Sequence, residues 1–283
     1  MIVNGLILGM LYALIALGIT LIFSIMNILN FAHGQMYMLG GFVVYYLYGV
    51  YHWNFFAALA MSILILAAIG ACFERFFFRR VLRVARREES SMLLAMGTAL
   101  LLENFALISF GEKQRGVPPV VTGVIRMSDA YLPAGRALLF AVAFVLIVAL
   151  LLFVRFTKPG RAMRALAQDK EATSLQGVNI NRVSMLGFAI GASLAGVAGG
   201  LLATVFPVFS GSGTAISIKS FIMIIIGGAG VVSGAIVGGF ILGFAEAIGY
   251  GLIPGSMTYL IIFCAVILLL TIRPQGIMGK PWG

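Results

Sequence analysis

Apolar residues in this chain come in long blocks, and polar residues fall between them. Nine blocks stand out, at roughly 6–28, 35–51, 55–78, 92–110, 137–154, 184–206, 218–230, 232–250 and 256–272. A helix of about 20 apolar residues spans the roughly 30 Å of a bilayer's hydrocarbon core. The blocks are therefore predicted to be membrane helices. The expected fold class is all-α, a polytopic transmembrane bundle of about eight or nine helical elements. No polar stretch is long enough for a separate soluble domain, so 1–283 reads as one transmembrane domain.

Two blocks depart from the pattern. The block at 218–230 is short and ends in Gly227-Gly228-Ala229-Gly230, while that at 35–51 follows Gly34 and contains Gly40-Gly41. Discontinuous or re-entrant helices are expected there. Such breaks are tolerated at membrane depth only where protein or a water-filled cavity satisfies the freed backbone. Whether 35–51 crosses decides the side of Met1, and the sequence leaves that open. A small-residue helix followed by a short segment ending in Gly-Gly occurs twice, at 9–23 with 36–41 and at 187–206 with 224–228. Transporters commonly contain internal repeats, with binding sites where the halves meet. Gly-rich apolar segments also resemble one another by chance.

Composition agrees with the blocks: 61% of residues are hydrophobic and 10% charged, too few charges to cover a soluble surface. The net charge of +10 would draw attention to nucleic acid, but the basic residues are grouped in loops. The 74–91 loop holds Arg75, Arg79, Arg80, Arg83, Arg86 and Arg87. The 155–183 loop holds Arg155, Lys158, Arg161, Arg164, Lys170 and Arg182, and the C-terminus adds Arg273 and Lys280. Loop 111–136 is sparser, with Lys113, Arg115, Arg126 and Arg136 beside Glu112 and Asp129. Retention of Lys and Arg on the cytoplasmic side places 74–91, 155–183 and the C-terminus in the cytoplasm and 111–136 outside. The first apolar run begins at once, lacks a basic leader and exceeds signal-peptide length, so it reads as the first span. Cys72 and Cys264 sit far apart in apolar runs as small hydrophobes.

Many of the 35 glycines fall at i, i+4, among them Gly187/Gly191, Gly196/Gly200, Gly230/Gly234/Gly238 and Gly239/Gly243. That spacing suits close helix packing, with a flexible or ligand-lined segment at 227–234 as the alternative. Polar residues inside apolar runs are costlier. Asn27, Asn30, His33 and Gln35 cluster between the first two blocks, either as a satisfied polar turn or as an unwound segment lining a path. Glu103-Asn104 lies mid-block, and Glu246 lies inside 232–250. A carboxylate at such depth must be protonated, paired or facing water, and either could serve an ion-coupled carrier or channel. The chain has no GxxxxGK[ST] phosphate loop, no HExxH, no GxSxG and no clustered metal ligands, and its only histidines are His33 and His52. ATP binding of that kind, a metal centre and intramembrane catalysis all lack their residues.

The segments NFAHGQMYMLGGF at 30–42, GRAMRALAQDKEATSLQGVNINR at 160–182, IGGAGVVSGAIVGGFILGFAEA at 226–247 and RPQGIMG at 273–279 together resemble the membrane permeases of branched-chain amino acid ABC importers, in particular the shorter, H-type subunit of the Liv family. The resemblance implies a multi-pass subunit of a bacterial inner (cytoplasmic) membrane, in contact with membrane lipid and not with nucleic acid. It also implies a second, M-type permease, two ABC ATPase subunits and an external solute-binding protein. ATP and magnesium would sit in the ATPases, with no cofactor on this chain. It further implies that 160–177 is a coupling helix, with Arg161, Arg164, Ala165, Leu166, Asp169, Glu171 and Gly177 meeting an ATPase. A surface helix held by anionic lipid is the alternative reading of that stretch. Thr157 and Pro159 suit a helix start and Gly177 a stop. The expected path residues are Asn27, Asn30, His33, Gln35, Glu103, Gly227, Gly228 and Gly230. The expected substrates are branched-chain or other hydrophobic amino acids such as leucine; the wider group is similar to permeases for urea, short amides, aromatic acids and, more distantly, simple sugars.

Overall fold

The computed structural model of the protein describes residues 1–84, 89–127 and 130–279. Arg86, Arg87, Asp129 and Lys280 of the charge pattern lie outside the described residues. The fold is a helical bundle: α1 (Ile2–Met26), α2 (His33–Val44), α3 (Phe55–Phe73), α4 (Arg79–Val84), α5 (Glu89–Phe110), α6 (Ala134–Phe156), α7 (Lys158–Gln168), α8 (Lys170–Leu175), α9 (Ile180–Leu202), α10 (Ser212–Gly227), α11 (Val232–Leu252) and α12 (Gly255–Ile272). Among the described residues the only strands are β1 (Val124–Met127) and β2 (Ala130–Pro133), an antiparallel hairpin inside the loop at 111–136. A π-helical turn, Glu74–Phe78, joins α3 to α4 in one rod, and another, Tyr45–Val50, extends α2.

Helix α1 is the axis of the bundle. It is apolar all round and packs on α11, α9, α6 and α10, as a helix enclosed by other helices must. Glycine permits this closeness. A β-carbon at Gly239 would stand 2.4 Å from the Ala13 amide nitrogen, and one at Gly243 would stand 2.3 Å from that of Gly9. Between α2 and α9 the fit is tighter still, for a β-carbon at Gly199 would lie 1.9 Å from the Tyr37 carbonyl oxygen. Most glycines of the i, i+4 series thus serve backbone-to-backbone contact. Helices α5, α6 and α12 are peripheral, with most of their apolar surface facing away from the subunit.

Among the described residues, seven helices are long and apolar enough to cross a membrane, and α2 and α10 account for two more passages of the chain. These two are broken crossings. After α1 the chain turns at Asn27 (φ 54°) and climbs back without helix through 28–32. Helix α2 then starts about midway up α1, where His33 Nε2 lies 3.1 Å from the Ile15 carbonyl. After α9 the chain again re-enters, and α10 starts beside the first turn of α2. There the Gly34 amide donates to Ser217 Oγ (3.1 Å), and Ser217 Oγ donates to the Phe31 carbonyl (2.8 Å). The two short helices run in opposite directions from this meeting point: α2 reaches the end holding Pro119, and α10 reaches the end holding the basic segment at 157–182.

This geometry resolves two sequence-level questions. The block at 35–51 completes a crossing, so Met1 and the C-terminal segment lie at opposite ends of the bundle; Arg136 bonds Asn4 at one end, and Gln275 lines a cavity with Arg164 at the other. The echo between 9–41 and 187–228 corresponds to two like units, α1–α2 and α9–α10, each a full helix followed by a half-helix, in opposite orientation.

Gly199→Val is expected to destabilise the protein by about 3 kcal/mol or more, because the Tyr37 backbone cannot retreat. Gly97→Ala, on an open face of α5 with nothing within 4 Å, is expected to be neutral or slightly stabilising. Thermal unfolding of the purified protein in detergent measures both.

Candidate functional site

Where the tips of α2 and α10 meet, three polar side chains come together. Thr214 Oγ1 donates to Glu103 Oε2 (2.7 Å), and Gln35 Nε2 bonds both Glu103 Oε2 (3.3 Å) and Thr214 Oγ1 (3.1 Å). Gln35 is buried, Glu103 is half-buried and Thr214 is exposed, so the cluster reaches the outer surface of the subunit. Two helix N-termini point at this level, and each carries about half a positive charge on its first amides. Gln35 and Glu103 stand out separately in the sequence, and the fold joins them. Thr214 does not stand out, because a threonine near a helix start is ordinary and only α10's re-entry brings it to Glu103.

Asn30 and His33 lie behind the cluster, fully buried against α1. Asn30 Oδ1 accepts from the Ala32 amide (3.1 Å), closing the turn that starts α2. Asn30 Nδ2 and His33 Nδ1 have no partner among the described residues. Asn27, Gly227, Gly228 and Gly230 are not part of this cluster; they lie at the basic end of the bundle. Gly227 packs on Gly234, and Gly228 (φ 105°) packs on Gly279. Asn27 and Gly230 line an open cavity of about 1100 Å³ together with Met163, Arg164 and Gln168 of α7. The far wall is the end of α10, which the C-terminal segment caps: Ile277 N donates to the Ile226 carbonyl (2.9 Å) and Met278 N to that of Gly227 (3.1 Å).

A second polar cluster holds α10 in place. Lys219, overlooked in the sequence because it opens an apolar block, faces Glu246 Oε1 at 2.8 Å and Oε2 at 3.1 Å. Tyr12 donates to Glu246 Oε2 (2.6 Å), Lys219 donates to Tyr12 (2.8 Å), and the Tyr259 ring lies 5.3 Å from the ammonium. Four helices, α1, α10, α11 and α12, meet in this network. Glu74 is likewise neutralised by Arg79 (2.5 Å), which also reaches the Asn181 carbonyl. Glu103 has no such cation among the described residues. An unneutralised carboxylate facing hydrocarbon costs about 3 kcal/mol on insertion scales.

The segment expected to be one helix over 160–177 is two. Thr157 caps α7 by accepting from Gly160 N (3.1 Å). Asp169 (φ −153°, ψ 114°) ends α7 and caps α8, its Oδ1 accepting from Glu171 N (2.8 Å) and Ala172 N (3.0 Å). A residue whose side chain offers its own amides a carbonyl-like acceptor breaks a helix in this way. Gly177 (φ 78°) terminates α8, and its amide donates to the Ser174 carbonyl. Arg161, Arg164, Asp169 and Glu171 are exposed and Ala165 half-buried, but Leu166 points inward with Met163 onto the bundle. The large apolar residue that the two helices expose is Leu175, at 87% exposure. Helix α7 is held firmly: a β-carbon at Gly160 would stand 2.3 Å from the Phe153 carbonyl, and Arg164 bonds the Arg155 carbonyl (3.2 Å).

Residues 1–271 match the protein family described as branched-chain amino acid transport system, permease component. The chain is 35% identical to the high-affinity branched-chain amino acid transport system permease protein BraD of Pseudomonas aeruginosa, over 99% of this chain and 95% of that one. It is 34% identical to the permease protein LivH of Escherichia coli, over 98% and 94%. It is 30% identical to the probable branched-chain amino acid transport permease LivH of Methanocaldococcus jannaschii, over 96% and 90%. No solved structure matches.

Lys219→Met, which strands Glu246 without its cation, is expected to destabilise the protein by about 3–5 kcal/mol. The double change Lys219→Met with Glu246→Gln is expected to recover a large part of that loss. Comparing the melting temperatures of the two variants in detergent checks the order.

Proposed function

The chain belongs to the permease family of branched-chain amino acid transport systems, and on that premise we propose that it works as one of two permeases in an ATP-driven importer of leucine, isoleucine, valine or similar hydrophobic amino acids. The observation that carries this reading is the pair of opposed half-helices whose tips meet midway through the bundle, beside a polar cluster open to one side. Interrupted helices with converging ends are how transporters place polar groups at membrane depth without unsatisfied backbone. The open side of the cluster faces the second permease, an M-type homologue, so the path runs between two subunits. The end bearing Arg79, Arg155 and Arg182 is the cytoplasmic one in a bacterial inner membrane, which puts Met1 and the β1–β2 hairpin outside, where a solute-binding protein docks.

Two ABC ATPases, which hold the ATP and magnesium, press on α7 and α8 from the cytoplasm. Arg161, Arg164, Asp169, Glu171 and Leu175 are the exposed side chains available to them. Helix α7 is stacked on the end of α6 and buries Met163 and Leu166, so a push on α7 is transmitted to the bundle as rigid-body motion. The cavity between α7 and the capped end of α10 leaves room for that movement. Asn27 and Gly230 line this exit side, whereas Asn30 and His33 support the tip of α2 from behind.

Arg164→Glu, or a glycine inserted between Ala165 and Leu166, is expected to lower leucine uptake by about tenfold or more while ATP hydrolysis continues. Uptake and hydrolysis measured side by side in vesicles containing the reconstituted complex test this, and normal coupling in both variants would exclude α7 as the lever.

A further inference from the structure

Three carboxylates whose side chains the structure describes lie within or at the edge of the apolar helices, and the fold treats them differently. Glu74 has Arg79 and Glu246 has Lys219, but among the described residues Glu103 has only the neutral donors Thr214 and Gln35, both on Oε2. Its Oε1 has no partner among the described residues. The neighbouring Gln35 is 1% exposed, and its Oε1 also lacks a partner. Glu103 Oε1 therefore stands at mid-height without a donor, in a cluster that opens away from the bundle, while Gln35 Oε1 is enclosed beside Gly213. What the Glu103 carboxylate lacks is a cation bearing N–H groups.

Building on the importer reading above, we infer that Glu103, held in place by Gln35 and Thr214, receives the α-ammonium group of the amino acid as it passes between the permeases. An ammonium supplies N–H donors and the missing positive charge, which complement this carboxylate. A carboxylate does not discriminate among aliphatic side chains, so the site holds the part common to all branched-chain amino acids and leaves side-chain selection elsewhere. A neutral solute such as urea gives Glu103 no counter-charge. A cation donated by the second permease would complete Glu103 in a different manner, and the experiment separates the two.

The complex carrying Glu103→Gln is reconstituted in vesicles with leucine as the probe, beside Glu103→Asp. Uptake is expected to fall by about tenfold or more for Gln, where the charge is lost, with partial recovery for Asp. In a chain whose Cys72 and Cys264 are replaced by alanine, Glu103→Cys is expected to react with a charged methanethiosulfonate, and leucine supplied with the binding protein is expected to slow the reaction. Wild-type uptake by Glu103→Gln overturns the inference, as does a cysteine that the charged reagent cannot reach. Failure of Glu103→Gln to assemble with the second permease overturns it in favour of an intersubunit ion pair. A wild-type complex that imports none of leucine, isoleucine and valine overturns the importer reading itself.

Discussion

A backbone amide inside a bilayer has no water to fall back on, so a helix can be interrupted there only where another part of the protein supplies the missing bonds. This constraint shapes the centre of the molecule. The chain stops being helical after Met26 and again after Leu202, and each time it re-enters without helix before a short helix begins. The two interruptions support one another through Ser217, whose hydroxyl accepts from the Gly34 amide and donates to the Phe31 carbonyl. Because the tips must touch for this, the surrounding helices must approach within backbone contact. Glycines at 40, 196, 199 and 213 occupy the positions where any side chain would collide.

Placing two helix starts at mid-height also sets the electrostatics. The same region receives the partial positive charge of two N-termini and the carboxylate of Glu103. Lys219, about two turns into α10, and Glu246 of α11 tie the half-helix to α1, α11 and α12. A buried pair of this kind contributes little net stability against an apolar alternative, but it penalises any register of α10 that separates the charges. The half-helix that presents Thr214 to Glu103 is thus held at its middle by an ion pair and at its end by the C-terminal segment.

The basic end is shaped by how α7 seats on the bundle. Helix α7 covers the end of α6 with its apolar face and presents arginines outward, and Asp169 divides it from α8 by capping the next turn. An uninterrupted helix over the same residues would carry Leu175 and Glu171 on a different bearing. The break therefore fixes which residues a partner could meet.

Nearly all of the helical plan was legible in the sequence. Hydrocarbon thickness sets the length of an apolar block, and the backbone's need for internal hydrogen bonds makes each block a helix, so all nine blocks became elements, although α10 begins at Ser212, well before the expected start at 218. The basic loops, the close-packing glycines and the two short blocks were legible for the same reason, since each is a local consequence of the solvent. Tertiary structure alone decided the rest. Gln35, Glu103 and Thr214 are far apart in the chain, and Lys219 looks like an isolated defect in an apolar block until α11 brings Glu246 to it. Leu166 and Leu175 are indistinguishable by type, yet one faces the bundle and the other faces out because Asp169 turns the chain between them. Hydropathy records what each residue prefers as a solvent. Which residue supplies a buried charge or an interrupted backbone with its partner depends on distances that exist only after folding.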